Sequence, residues 1–485
     1  MATYLAYDLG AESGRGVAGT LRDGKLTIEE VHRFWNLPVT IQGTLYWDVY
    51  GLCRELVAAL GKFKERVGAP PAAMGIDTWG VDFGLLARDG SLLAPPVCYR
   101  DHRNDATMGE VLKKIPAERI YDATGIQFMQ FNSIFQLAGI RHRTPKVLEA
   151  ADAVLFMGDL LAWFFTGRKA NEYTLASTSQ LIDPRTRQWA TELLRELGLP
   201  QRIFPELVEP GTVLGNVARA IAGNDTIPFV AVAHHDTGSA VAAVPAEGND
   251  WACISCGTWS IMGVELSQPM INEATRAANF TNEGGVAGTT RFMKNLAGLW
   301  PLQECRRKWI QSEPDLNYTV ITEQAAAAKP FAAVLDIDND AFLNPLDMPA
   351  AIADQCRKTG QQPPADMGSM ARVILEGLAL GYRRRLDELE KLTGRTFDKV
   401  HIVGGGTQNR LLMQFAANAM GRPVVAGPIE ATAIGNIMMQ AIATGELSSL
   451  AEGRAMVRRS FPMETFEPTN TAPWSEAYAK LKKML

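Results

Sequence analysis

Cysteine is scarce in this sequence. Only six of 485 residues are cysteine: Cys53, Cys98, Cys253, Cys256, Cys305 and Cys356. A chain of this size needs no disulfide scaffold, and scattered thiols suit a reducing compartment. The one close pair, Cys253 and Cys256 in CISCGTWS, has no second pair to complete a zinc site, so it reads as two small residues of a strand. Long apolar runs are missing too; none approaches the about 20 residues that a bilayer requires. The N-terminus enters a strand-like run at once, without the basic and apolar segments of a leader. Together these absences predict a cytoplasmic protein with no membrane partner. Positive charge is not in excess: 48 Lys and Arg against 53 Asp and Glu give a net charge of −5. No basic stripe is interleaved with aromatics, so nucleic acid is not an expected partner. Four familiar signatures are also absent: G-x-x-x-x-G-K-[ST], H-E-x-x-H, G-x-S-x-G and the H-R-D loop. A nucleotide triphosphate, if bound, is bound without a P-loop lysine.

What is present is the composition of a globular protein, 47% hydrophobic and 21% charged, at a length that predicts two domains. The text changes after Pro245, where AEGND is polar and turn-prone. The expected domains are therefore 1–245 and 246–485. In the first, residues up to about Leu21 read as two strands joined by a glycine turn. A helical pattern follows YWDVY as far as Val67. GIDTWGVDFGLL reads as strand, turn and strand. Val154 to Thr166 is apolar at helical spacing and stops at Gly167, with Trp163 and Phe164 expected in the core. In the second domain, loop-rich text runs to about Asn344, a long helix is expected from Ala365 to Leu392, and the strand KVHIVGGG leads into the helix NRLLMQFAANAMG. One similarity links the halves. TYLAYDLGAESGRGVAGTL and DWACISCGTWSIMGVEL each place an apolar strand, a Gly-Ser/Thr turn and another apolar strand at the start of a domain.

Four motifs carry chemistry. DLGAESGR, Asp8 to Arg15, is a turn whose N–H groups form an anion-binding concavity, with Ser13 and Arg15 as further donors; equally, it is an ordinary hairpin. Asp8 is compatible with phosphate only across a cation, for which Mg²⁺ is the usual choice. Ser255 to Ser260 offers Gly257, Thr258 and Ser260 as a second phosphate clip or a simple hairpin. In VAHHDTGSAV, Asp236 ends a buried strand and opens a helix, where it serves as an N-cap, as a proton acceptor, or as both. His234 and His235 are neighbours on a strand and face opposite ways; His235 is the one expected to bond substrate. VGGGTQNR lacks the complete G-x-G-x-x-G pattern and its acidic partner, which disfavours hydride transfer. Its Gly404 and Gly405 would let an adenine or ribose lie flat, or form a plain strand–helix turn. Thr78, Trp79, Gly80, Asp82, Tyr99, Arg100, Asp101 and Arg103 mix polar and aromatic groups as a sugar site does.

These motifs, with HRFWN, TGIQF, FNSIFQL, NEGG, KNLAGLW and GPIEATAIGN, resemble the FGGY carbohydrate kinases and, more broadly, the actin-like ATPase superfold, over essentially the whole length. The resemblance implies an α/β protein of two actin-like, ribonuclease H-like domains with a catalytic cleft between them: sugar and first phosphate turn in 1–245, nucleotide in 246–485. It implies ATP and Mg²⁺, with Asp236 as general base. Ala11, Glu12, Ser13, Gly14, Arg15 and Thr258 would hold phosphates, Gln303, Gly404 and Gly405 the nucleotide, and Asp8 the Mg²⁺ through water. Gly80, His235, Thr237 and Asn295 would hold the sugar. A narrower branch of the family, which shares Asn436 in ATAIGN on the expected adenosine side, implies L-rhamnulose as the ketose, phosphorylated at its C1 hydroxyl. Another ketose, such as L-fuculose or L-xylulose, and a sugar-responsive regulator on the same fold are the alternatives. Glu12 departs from the small hydroxyl residue common in relatives and adds a negative charge to the turn.

Overall fold

The first apolar run is strand β1 (Ala2–Leu9), which turns back into β2 (Ser13–Arg22) and β3 (Lys25–Trp35). The computed structural model describes residues 2–343 and 345–485. Three further strands, β4 (Met74–Thr78), β5 (Thr212–Asn216) and β6 (Pro228–Ala231), complete a sheet of order β5-β6-β4-β1-β2-β3. Strands β1, β4 and β6 run parallel; β2 and β3 continue antiparallel from β1. Tyr4, Leu5, Ala6 and Tyr7 are all fully buried, as expected of a strand covered on both faces.

The second sheet is built from β7 (Trp251–Cys256), β8 (Trp259–Leu266), β9 (Thr281–Gly284), β10 (Thr290–Ala297), β11 (Lys399–Val403), β12 (Val424–Ala426) and β13 (Glu464–Phe466). Its order is β9-β10-β8-β7-β11-β12-β13. Strands β7, β11 and β12 are parallel and β8 is antiparallel to β7. The two strand–turn–strand segments that look alike in sequence therefore occupy matching places, β1–β2 in one sheet and β7–β8 in the other. Cys253 and Cys256 lie in β7, and all six cysteines are free.

By backbone contacts the chain divides into two compact units. The first takes Met1–Pro245, Glu265–Met293 and Ala431–Ser460; the second takes Ala246–Val264, Lys294–Glu430 and Phe461–Leu485. In the first unit, the helix Val49–Val67 is capped by Asp48, whose carboxylate accepts from Gly51 N, and stopped by Gly68 in the left-handed region. The helix Ala431–Ala443 also belongs to this unit. In the second unit, the long helix spans Met367–Thr393 and opens with a capping box of Asp366 and Ser369. No helix among the described residues is long and apolar enough to cross a membrane.

Three readings of local structure change. Val154 does not start a helix: Ala153–Phe156 is a strand and the helix is Met157–Thr166. A short apolar run carries no period that separates the two. Trp163 and Phe164 pack against the core while half-buried, not within it. The text expected to be loop-rich holds the helices Glu273–Ala277, Trp300–Trp309 and Tyr318–Ala327, besides β9 and β10. Strand β9 reads TNEG, with no apolar period, because polar contacts bury it: Asn282 N donates to Gly125 O and Gly284 N to Ser177 Oγ. The expected end of that text, Asn344, lies outside the described residues.

Candidate functional site

Register assembles the first part of the site. Asp8 at the end of β1 is paired with Asp77 on β4, and Thr78 is bridged to His235 beyond the end of β6. Thr78 N donates to His234 O at 2.7 Å. Asp8 and Asp77, each next to last in its strand, and Asp236, beyond the end of β6, thus lie at the carboxyl edge of three neighbouring parallel strands, the edge at which open α/β sheets take ligands.

The turn after Asp8 is held from outside. Gly10 N donates to Ser13 O, Asn36 Nδ2 to Gly10 O and Asn36 N to Glu12 O. Arg15 is Asp8's ladder partner, and its Nε and Nη2 donate to Asp8 Oδ2 at 3.0 and 2.7 Å. Glu12 is 46% exposed and lies 3.7 Å from Arg100, a cation that offsets its extra charge. Asp77 is fully buried. Its Oδ2 accepts from Asn436 Nδ2 at 2.7 Å, while its Oδ1 has no hydrogen-bond partner. Burial, then the charge of Asp8, pushes the Asp77 carboxyl well above the usual range.

Asp236 opens the helix Asp236–Ala242, and its Oδ1 accepts from Thr237 N and from Thr237 Oγ1. Burial raises its pKa and the Asp8 charge adds to this; His235 and the Thr237 N–H oppose it. A carboxylate so raised is a better proton acceptor near neutrality than an ordinary one. His235 Nε2 lies 3.4 Å from Asp236 Oδ1. The two histidines do face opposite ways. His234 is wholly buried with Nδ1 2.8 Å from Asp159 Oδ1, whereas His235 Nδ1 meets Arg291 Nη2 at 3.0 Å and Glu283 Oε2 at 3.2 Å. Burial alone would raise the Glu283 carboxyl, but Arg291 and then His235 outweigh it and lower it to about 2.

Several sugar candidates are occupied within the protein. Asp82 accepts from Trp47 Nε1 (2.6 Å), Trp79 Nε1 (3.1 Å), Tyr99 N (3.1 Å) and Gln136 Nε2 (3.0 Å). Burial, only partly offset by these donors, raises it to about 6. Asp101 accepts from Leu45 N and Arg103 N, Arg103 Nη2 donates to Thr44 Oγ1, and Arg100 Nε donates to the Tyr99 hydroxyl. Thr78 is buried, its Oγ1 donating to Trp79 O. Gly80 is partly accessible and precedes Val81, a β-branched residue at φ +70°. That backbone is strained for valine and is held by Thr178 Oγ1, which accepts from Val81 N, and Ser133 Oγ, which donates to Val81 O.

In the second unit, Thr258 lies in the β7–β8 turn. Its carbonyl accepts from Trp300 N, and that of Gly257 accepts from Leu299 N. Gly298 is pressed on the same turn; a Cβ there would come within 2.6 Å of Gly257 O, so only glycine fits. Gly404 has φ +93° and packs on Cys256 O, while a Cβ on Gly405 would meet nothing within 4 Å. Gln303 and Asn295 are partly accessible. Next to Asn295, Lys294 is lowered to about 8 by burial and by Arg385. Asp8, Ala11 to Arg15, Gly80, His235, Asp236 and Thr237 are thus in the first unit; Thr258, Asn295, Gln303, Gly404 and Gly405 are in the second.

Sequence reasoning missed Asp77, Glu283 and Arg291, although GIDTWG and NEGG contain two of them; a wholly buried arginine in strand text gives no local signal. It also placed Asn436 near adenosine, whereas its side chain reaches Asp77 and Tyr7 O. For Mg²⁺, the donors at hand are carboxylate oxygens, and the orphaned Asp77 Oδ1 is one of them. Among the described residues no three His, Cys, Asp or Glu form a cage for a metal. One or two carboxylates are what a Mg²⁺ ion takes when it keeps several waters and binds phosphate oxygens.

The description "FGGY family of carbohydrate kinases, N-terminal domain" matches residues 3–242, and its C-terminal counterpart matches 252–444. A rhamnulokinase of Bacteroides thetaiotaomicron is 46% identical over 482 residues, covering 99% of this chain and 98% of that one. Those of Enterococcus faecalis and Bacillus subtilis are 41% and 38% identical, covering 96% of this chain and 94% and 95% of theirs. Among solved structures, ligand-bound xylulose kinase from Lactobacillus acidophilus gives a TM-score of 0.84 at 15% identity, covering 100% of this chain and 98% of that one. Plasmodium falciparum glycerol kinase with ADP gives 0.80 at 15% identity, with 100% and 97% covered. The structural likenesses show the fold; the sequence matches carry the family. The chain belongs to the FGGY family of carbohydrate kinases, phosphotransferases of the actin-like ATPase fold.

Proposed function

We propose that this kinase transfers the γ-phosphoryl group of ATP to the C1 hydroxyl of L-rhamnulose, with Asp236 as general base. One observation carries the choice of sugar: the relatives named rhamnulokinase are 37–46% identical over nearly the full chain. The site chemistry agrees. Asp236 opens a helix beyond the end of β6, is partly exposed and carries a raised pKa. It accepts the hydroxyl proton as the oxygen attacks phosphorus. His235, Thr237, Gly80 and Asn295 orient the sugar. Ala11 to Arg15 and Thr258 present donors to phosphate oxygens, and Gln303, Gly404 and Gly405 face the nucleoside. Mg²⁺, when bound at Asp8 through water, neutralises phosphate charge. The protein's own task is alignment and proton acceptance, since phosphoryl transfer asks little covalent chemistry of it.

A panel of ketoses in a coupled ADP-release assay tests the reading. The highest kcat/KM is expected with L-rhamnulose, and preference for L-fuculose or L-xylulose overturns the substrate. Calorimetric sugar binding without ADP release would overturn the catalytic role.

A further inference from the structure

Arg291, on β10, is wholly buried. Its Nε donates to Gly284 O at 2.7 Å, its Nη1 lies 3.1 Å from Glu283 Oε2, and its Nη2 meets His235 Nδ1 at 3.0 Å. A guanidinium has donors and no acceptor. The contact to His235 is a hydrogen bond only if Nδ1 offers its lone pair, which leaves the ring proton on Nε2. We propose that Arg291 is a positioning residue that holds His235 as the neutral, Nε2-protonated tautomer, so that the ring donates toward the sugar and Asp236. The inference rests on the reading above that the sugar binds against His235.

Among the described residues, the opposite tautomer has one candidate partner, Glu283 Oε2 at 3.2 Å from Nδ1. That contact does not meet hydrogen-bond geometry, although the imidazole is close enough to help lower the Glu283 carboxyl; Arg291 Nη1, 3.1 Å from the same oxygen, lowers it more and matches its charge. The ring is anchored through its backbone: His235 N donates to Thr174 Oγ1 at 3.3 Å, and that hydroxyl donates to Glu172 Oε2 at 2.6 Å. The ionisable groups around the ring are therefore Asp236 on its own helix, Glu283 and Arg291 on β9 and β10, and Glu172 behind Thr174. The tautomer matters to the chemistry. A bare Nε2 3.4 Å from Asp236 would compete with the carboxylate for the hydroxyl proton. A protonated Nε2 instead donates to a sugar oxygen and leaves proton acceptance to Asp236.

The test is a ¹⁵N–¹H correlation spectrum of the full-length protein labelled at its six histidines, at neutral pH without ligand, with His235→Gln used to assign the signal. A protonated Nε2 and a bare Nδ1 are expected; a protonated Nδ1, alone or with Nε2, overturns the proposal. The pair Arg291→Met with Glu283→Gln removes both buried charges together. It is expected to mix the tautomers and raise KM for the ketose about 10-fold, the scale of one charge-assisted hydrogen bond, with KM for ATP within about twofold. Arg291→Lys, which keeps a donor, should restore the Nε2–H signal. An unchanged tautomer in the double variant also overturns the proposal; should that variant not fold, the wild-type spectrum decides alone. This spectrum does not depend on whether Asp236 is the base, so activity surviving in an Asp236 variant would sink that assignment and leave this one standing.

Discussion

At the scale of single residues, the proposed function gives two carboxylates with raised pKa values opposite roles. Among the described residues, the Asp236 side chain makes hydrogen bonds or ion pairs only with Thr237 and His235, so Asp236→Ala should fold with a melting temperature close to that of the wild type. A general base contributes about 10²–10⁴-fold, and kcat should fall by that amount in steady-state assays; wild-type turnover would disprove the mechanism. In the wild type, Asp236 as the proposed base must be ionised, so kcat/KM should fall on the acid side with a midpoint above the ordinary carboxylate range, the direction of its shift. Asp82 is instead tied up by two indoles, a backbone N–H and Gln136, and titrates at about 6 when folded against an ordinary 3.8. Between those values the folded protein holds a proton that the unfolded chain has released. The contribution of this group is therefore full below about pH 4 and is lost as pH rises through about 6. Asn at this position accepts from the indoles but does not titrate. Urea unfolding of Asp82→Asn should show stability relative to wild type rising from pH 4 to 6 and level above, over a span on the order of 3 kcal/mol. A gap that stays flat across that range would contradict the assignment.

At the scale of elements, the helix Ala431–Ala443 braces the strand ends beneath the acids. Asn436 Nδ2 donates to Asp77 Oδ2, and Gln440 Nε2 donates to Asn436 Oδ1 and to Leu5 O. Asn436→Ala strips the one side-chain donor, among the described residues, from a carboxylate whose other oxygen already has no partner there. The expected cost is about 1–3 kcal/mol, read from urea unfolding at pH 7; an unchanged midpoint would show that Asp77 does not depend on this helix. Such a brace was invisible in the text ATAIGN, because which face of a helix meets which strand is a tertiary fact. Other elements were legible for definite reasons. DLGAESGR between two apolar runs announces its turn by glycine, and HDTG marks a strand ending in a helix start, so Asp8 and Asp236 stood out. The ion pair of Glu283 and Arg291 did not. Charged residues are normally solvated, and nothing in TNEG or TRFMKNLA signals that two of them close on each other out of water. The strand Ala153–Phe156 was lost to helix because four apolar residues fit either period.

At the scale of the whole molecule, order along the chain and membership of a folded unit differ. A fragment of residues 1–245 carries every strand of the first sheet, yet it lacks two stretches of its own unit, Glu265–Met293 and Ala431–Ser460. With the second stretch go Ile434, Ile437 and Met438, all buried; Ile437 fills the space over Gly19. Full burial of such side chains is worth about 1.5–3 kcal/mol each, and whole domains are stable by only about 5–15 kcal/mol. With the first stretch goes Arg291, and with it the contact to His235. The fragment should therefore show weak near-UV circular dichroism and no cooperative thermal transition. The full chain should show both. Joining residues 431–460 to the fragment through a flexible linker should recover part of the cooperativity, because it restores the cover over β1 and β4 while the lost stretch 265–293 still leaves Gly125 O and Ser177 Oγ without the partners they have in β9. A cooperative melt of 1–245 alone would show that the first sheet needs neither stretch.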